Sequence, residues 1–234
     1  MLKVDNINFS YGEIQILKDI SINVNDGEFI AVFGPNGHGK STLMKVICGL
    51  LKPSSGSINY GGQVISSLST QSIVDMGVVY IPEDRNLFPE MTVAENLKMG
   101  AFAKNARSKM KDNFDFVYHL FPKLKNLNNR TVSGLSGGEA RMLAIGRGLM
   151  SNPKFLAIDE PSFGLAPNLR VDVFKAIEEI RQRGASILLV EQSTFIASDY
   201  ANRIYAIEDG KIVFEGNKEE ALNNEEIRKM FLGI

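Results

Sequence analysis

One short stretch constrains this chain more than any other. Phe29 to Phe33 is an unbroken apolar run, the form of a strand buried on both faces. It passes without a spacer into Gly34, Pro35, Asn36, Gly37, His38, Gly39, Lys40, Ser41 and Thr42. From Lys40 to Leu50 the apolar residues Leu43, Val46, Ile47 and Leu50 recur at helical spacing. Strand, Gly-x-x-x-x-Gly-Lys-Ser loop and helix, in that order, make the Walker A pattern. The glycines let successive backbone N–H groups converge on phosphate oxygens, and the helix adds its positive end. Lys40 can reach the β- and γ-phosphates, and the Ser41 hydroxyl can join the shell of a Mg²⁺ ion. ATP and Mg²⁺ are therefore the expected ligands.

The patterns around this loop indicate the rest of the fold. Leu2 to Phe9 alternates apolar and polar residues as a half-buried strand does. Ile14 to Val24 holds one or two more strands, and Asn25-Asp-Gly27 reads as a hairpin-type turn. Ile58 and Tyr60 mark a strand within a Ser- and Gly-rich break, and Val78 to Ile81 marks another. Beyond it the character changes: Thr92-Val-Ala-Glu95 is a capping-box pattern, and a second helix is expected from Ser108 to Leu120. Strands return at Phe155 to Ile158 and Ser186 to Val190. Between them lies an amphipathic helix, Asn168 to Arg183, with Val171, Phe174, Ile177 and Ile180 on one face and Gly184 placed to end it. Asp209-Gly210 reads as the turn of a last hairpin, and Lys218 to Leu232 as helical. The expected fold is α/β: a P-loop core with a mainly parallel sheet, an N-terminal antiparallel β subdomain and an inserted helical subdomain. One domain is expected over 1–234, with the core at about 1–84 and 151–234 and the helical subdomain at about 85–150.

Composition excludes several classes. Of 234 residues, 44% are hydrophobic and 23% charged, enough for a sizeable core. The net charge of -1 argues against a nucleic-acid partner, which would require a surface that neutralises phosphates. No stretch approaches the ~20 apolar residues that span a bilayer, and no signal-type run opens the sequence. The chain is expected to be cytoplasmic, and any membrane role would be peripheral, by docking on something that spans the bilayer. Cys48 sits among apolar residues and is expected in the core. His38 occupies a variable loop position and is expected to face solvent, His119 is expected to be structural, and no His or Cys spacing suggests a metal site.

Two more motifs carry chemistry. Phe155-Leu-Ala-Ile-Asp159-Glu160 ends a buried strand in two acids, an expensive arrangement unless they are paired or near a cation. Asp159 suits the Mg²⁺ shell through water, and Glu160 suits a general base that orients the attacking water. Ser136-x-x-Glu139 is a capping box, while Gly137 and Gly138 leave backbone N–H groups free to face a phosphate.

The order Walker A, Leu135-Ser-Gly-Gly-Glu139, then a hydrophobic strand ending in Asp-Glu resembles that of ABC-type ATPases over essentially the whole chain. That resemblance implies a head-to-tail pair in which Ser136, Gly137, Gly138 and Glu139 of one subunit cover the ATP of the other. It implies that Tyr11 stacks on adenine. It also implies a second ATPase subunit, the same or different, membrane permease subunits, and indirectly a substrate-binding protein.

Three departures narrow the likeness. Glu83 stands where most members have a glutamine, Gln192 where most have a histidine, and Glu160-Pro-Ser-Phe-Gly-Leu-Ala-Pro167 lacks the usual aspartate. Together they resemble the second ATPase of branched-chain amino-acid importers and its relatives for urea and short amides. Glu83 can still ligate a hard cation, and Gln192 can hydrogen-bond a γ-phosphate but cannot take its proton. Lipid or polysaccharide export, and a soluble ABC ATPase acting on ribosomes or DNA, are the alternatives. The transported molecule itself cannot be read from an ATPase that does not touch it.

Overall fold

The computed structural model describes residues 1–191 and 194–232. In chain order the elements are β1 (Leu2–Tyr11), β2 (Ile14–Val24), β3 (Phe29–Phe33), α1 (Lys40–Ile47), β4 (Ser55–Tyr60), β5 (Gln63–Val64), α2 (Thr70–Asp75) and β6 (Val78–Ile81). Five helices come next: α3 (Val93–Gly100), α4 (Lys104–Arg107), α5 (Met110–Leu120), α6 (Pro122–Asn126) and α7 (Gly137–Leu149). The chain then returns to β7 (Phe155–Asp159), α8 (Pro167–Gln182), β8 (Ser186–Val190), α9 (Thr194–Tyr200), β9 (Arg203–Glu208), β10 (Lys211–Gly216), α10 (Lys218–Asn223) and α11 (Glu225–Leu232).

Two sheets form. The smaller is antiparallel in the order β2-β1-β4-β5. The larger has the order β10-β9-β3-β8-β7-β6, parallel from β9 to β6, with β10 antiparallel at one edge. The central strands are apolar throughout because both faces are covered. Phe29, Ala31 and Phe33 of β3 join one cluster with Leu143 of α7 and Phe174 of α8. Ile30 and Val32 point the other way, into a cluster with Leu43 of α1 and Ile20 of the antiparallel sheet. The two sheets are also tied by polar contacts. Arg203 of β9 donates to the Glu28 carboxylate at 3.0 Å and to the Asn23 side-chain oxygen at 2.9 Å.

Several expectations are corrected. Ile14 to Val24 is a single strand, within what is expected, but the register of β1 shifts between Val4 and Ile7, so both residues stay buried. The 25–27 turn is not a hairpin: it carries the chain from β2 in one sheet to β3 in the other. α1 ends at Ile47, and Leu50 is 50% exposed because Gly49, at φ 72, turns the chain off the helix. On α8, Val173 takes the buried place expected for Val171, which is 39% exposed. The helix expected from Ser108 starts at Met110 and follows the short α4, while the tail is helical as expected, in two segments. Cys48 is buried as expected.

Candidate functional site

The phosphate loop is set by two close backbone approaches. At Gly34 a Cβ would lie 2.1 Å from the Ile207 carbonyl oxygen of β9, so no other residue fits without a shift. Gly39 is the N-cap of α1 at φ 102, and a Cβ there would lie 2.9 Å from Leu17 Cδ2 of β2. The loop is thus pressed between the two sheets, and α1 begins directly at Lys40.

Beside it lies a cleft of about 440 Å³. Asn36, Gly37, Gly39, Lys40, Ser41 and Thr42 line it, together with Tyr11, Glu83 and Glu160. Gly34, Pro35 and His38 are the loop residues outside its lining. A neighbouring groove of about 700 Å³ shares Ser41 and Glu83 and adds Asp159 and Tyr80. One locality therefore holds most of the residues expected from sequence.

Its electrostatics are strained. Lys40 is only 5% exposed, and its ammonium donates to the Gly34 and Pro35 carbonyls at 2.8 and 3.0 Å. Burial pushes its pKa down, against the opposing pull of Glu160, Asp159, Glu191 and Glu83. Glu160 has its pKa raised, first by burial, then by Glu83, with Lys40 opposing and Asp159 adding to the rise. Its backbone sits at φ 44, a left-handed conformation that a glutamate adopts at a cost. Its N–H donates to the Val190 carbonyl at 2.9 Å.

Asp159 is buried, and the Tyr80 hydroxyl donates to its Oδ2 at 2.9 Å. Its Oδ1 is buried and has no hydrogen-bond partner. An acceptor left in that state is costly and fits a hard cation or the water around one. Among the described residues no group of three His, Cys, Asp or Glu side chains could hold a metal ion. A cation here must therefore rely on the Ser41 hydroxyl and on ligand oxygens as well.

Ser136 and Glu139 form the capping box of α7, with bonds of 2.8 and 3.4 Å. Ser136, Gly137, Gly138 and Glu139 are not on the lining of the Lys40 cleft within the protomer. The same helix grips the segment carrying Glu83. Arg141, fully buried, donates to the Pro82 carbonyl at 3.2 Å, and Arg147 donates to the Arg85 and Asn86 carbonyls at 3.0 and 2.7 Å. Gln192 lies outside the described residues. His119 Nε2 lies 2.8 Å from Glu179 Oε1 on the surface. His38 is not solvent-facing as expected: its ring is 27% exposed, and Nδ1 accepts the Asp209 N–H at 2.9 Å.

Sequence reading missed Tyr80, Phe163, Arg141 and Glu191. Phe163 lines the Lys40 cleft. Glu191 is buried, and its Oε1 accepts the Ser162 N–H at 2.9 Å, fixing the loop that leaves Glu160. The signal that exposed Asp159, an acid directly after a buried apolar strand, was equally available for Glu191 after β8.

A family model described as ABC transporter matches residues 17–163. The high-affinity branched-chain amino acid transport ATP-binding protein BraG of Pseudomonas aeruginosa is 41% identical over 233 residues, covering 100% of both chains. A nucleotide-free ATP-binding cassette from an ABC transporter superposes with a TM-score of 0.87 at 30% identity, covering 100% of this chain and 99% of its own. A dimeric cassette in a post-hydrolysis state bound to ADP and Pi gives a TM-score of 0.78 at 25% identity, over 93% of this chain and 98% of its own.

The site's energetics lead to two expected outcomes. Glu191→Ala leaves the buried Ser162 N–H without its acceptor and is expected to lower stability by about 1–3 kcal/mol in urea unfolding, while Glu191→Gln keeps an acceptor and most of the stability. Glu160 behaves differently. Its folded pKa lies above its unfolded value, so ionisation opposes folding: the penalty is absent below the unfolded pKa and complete above the raised one. Glu160→Gln is therefore expected to raise the Tm of metal- and nucleotide-free protein at about pH 8, with the gain fading near the ordinary glutamate pKa of about 4.3.

Proposed function

This chain belongs to the ABC transporter family and is one of its ATP-hydrolysing subunits, and on that premise we propose that it powers a membrane importer of branched-chain amino acids as one half of a head-to-tail ATPase pair. The observation that carries the mechanism is the convergence of Lys40, Ser41, Asp159 and Glu160 on one locality, with an orphaned acceptor on Asp159 and a glutamate held short of easy ionisation. The end-to-end likeness to BraG supports the substrate class.

ATP lies in the cleft with its phosphates on the N–H groups of the 34–41 loop. Lys40 leaves the Gly34 and Pro35 carbonyls for the β- and γ-phosphates. Tyr11, half exposed and standing edge-on to Phe9 with 4.8 Å between ring centroids, offers a free face to adenine. Ser41, Glu83 and Asp159 would hold Mg²⁺, which when bound would supply positive charge to the transferring phosphoryl group. Ser136, Gly137 and Gly138 reach the γ-phosphate of the partner subunit, since they do not line their own cleft. Glu160 takes the proton of the attacking water, and Gln192 hydrogen-bonds the γ-phosphate.

The coupling surface is the groove between the α/β core and the helices. Leu50, Phe88, Met99 and Phe102 are exposed along it, which suits a permease segment laid against them. Because α7 grips the Glu83 segment, movement at that groove is transmitted to both the Glu83 loop and the Ser136 end of the helix. No described helix is long and apolar enough to cross a membrane. Docked on permease subunits that receive cargo from a substrate-binding protein, the chain works from the cytoplasmic face, where ATP is supplied.

The test is uptake of labelled leucine into vesicles holding the permease, with this chain, its partner ATPase, the binding protein and ATP. ATP-dependent uptake is expected, and Lys40→Met, which removes the phosphate-binding charge, is expected to reduce uptake and hydrolysis at least about 100-fold. A complex that hydrolyses ATP normally yet moves urea or a lipid and no branched-chain amino acid overturns the substrate assignment.

A further inference from the structure

The turn between β9 and β10 is wedged against the phosphate loop and β2. The Lys18 N–H of β2 donates to the Gly210 carbonyl at 2.8 Å. The packing is tight enough that a Cβ on Gly210 would lie 2.0 Å from the Ile16 carbonyl oxygen. From the same turn the Asp209 N–H donates to His38 Nδ1 at 2.9 Å. The Asp209 carboxylate Oδ1 lies 3.4 Å from the same nitrogen.

Residues 34–39 are anchored at their ends, Gly34 against Ile207 and Gly39 against Leu17, while between them the His38 N–H donates to the Pro35 carbonyl at 3.4 Å. Three of the six are glycines, which lose much conformational freedom when ordered. Lys40 holds the Gly34 and Pro35 carbonyls only while its ammonium is not engaged by phosphate. His38 is different. Its side chain is off the cleft lining and bonds to the hairpin, so its contact persists when the lysine turns away.

We propose that His38 is a positioning residue that latches the phosphate loop to the β9–β10 turn, holding the loop's N–H groups in the arrangement that receives phosphate. The inference rests on the nucleotide-binding reading of that loop. A loop ordered beforehand gives up less freedom on binding, so the latch strengthens nucleotide binding in ground and transition states alike. It acts on affinity more than on turnover.

Three variants separate the latch from general packing. Asparagine places its Oδ1 near the position of histidine Nδ1, whereas leucine has similar reach and no acceptor. Asp209→Asn keeps the backbone N–H and removes only the carboxylate. The readouts are hydrogen exchange of the 34–39 amides in nucleotide-free protein, the ATP dissociation constant, and KM against kcat, with Tm as the control for folding. His38→Leu is expected to speed loop exchange and to raise Kd and KM about fivefold with a smaller change in kcat, the effect of one hydrogen bond. His38→Asn restores both, and Asp209→Asn matches the wild type. Loop exchange in His38→Leu equal to wild type, or His38→Asn as impaired as His38→Leu, overturns the proposal. A wild-type chain that binds no ATP defeats the nucleotide reading instead, and the exchange comparison still decides whether the latch exists.

Discussion

Four parallel strands that end at the same edge are the constraint on which this site depends. β3, β8, β7 and β6 are neighbours in that order, and their register is fixed: Val32 pairs with Val190, Val190 with Asp159, and Ile158 with Ile81. The segment leaving each strand must therefore meet the segment leaving its neighbour. The phosphate loop leaves β3, Glu191 leaves β8, Glu160 leaves β7, and Glu83 lies just beyond β6. Ligands collect at the carboxyl edge of such sheets because that is where the chain is released from the ladder.

The arrangement is unfavourable by itself. A nearly buried ammonium, several carboxylates and a left-handed glutamate share one small region, and burial disfavours the charged form of both Lys40 and Glu160. Apolar packing on both faces of the sheet supplies the stabilisation that holds them there. A polyphosphate with a hard cation would relieve much of the strain, giving Lys40 a stronger partner and the orphaned Asp159 oxygen something to accept from or to bind. Strain among these side chains and affinity for such a ligand would thus be two sides of one arrangement.

Much of this was legible in the sequence, for a physical reason. Buried strands, the glycine-rich loop and the capping boxes at Thr92 and Ser136 are local, and local chemistry survives in any context. What sequence could not supply was pairing. The turn at 25–27 looked like a hairpin because turn chemistry does not record which strand comes next to which. His38 looked like a solvated loop residue because the hairpin that engages it lies about 170 positions away. Leu50 and Val171 were misplaced because helical spacing cannot show where a glycine ends the helix or which flank of a wide apolar face is covered. Arg141 was passed over because an arginine in an apolar helix gives no sign that it is gripping a distant carbonyl.

The role of Glu160 is the centre of the mechanism, and one comparison addresses it directly. ATP binding and hydrolysis are measured for the wild type, for Glu160→Gln and for Gln192→Ala, with the partner subunit and Mg²⁺ present. The expected result is that Glu160→Gln binds ATP as the wild type does but hydrolyses it at least about 100-fold more slowly, since the amide occupies the same space and cannot take a proton. Near wild-type hydrolysis by Glu160→Gln, with hydrolysis abolished in Gln192→Ala, would contradict the assignment and move the essential role to Gln192.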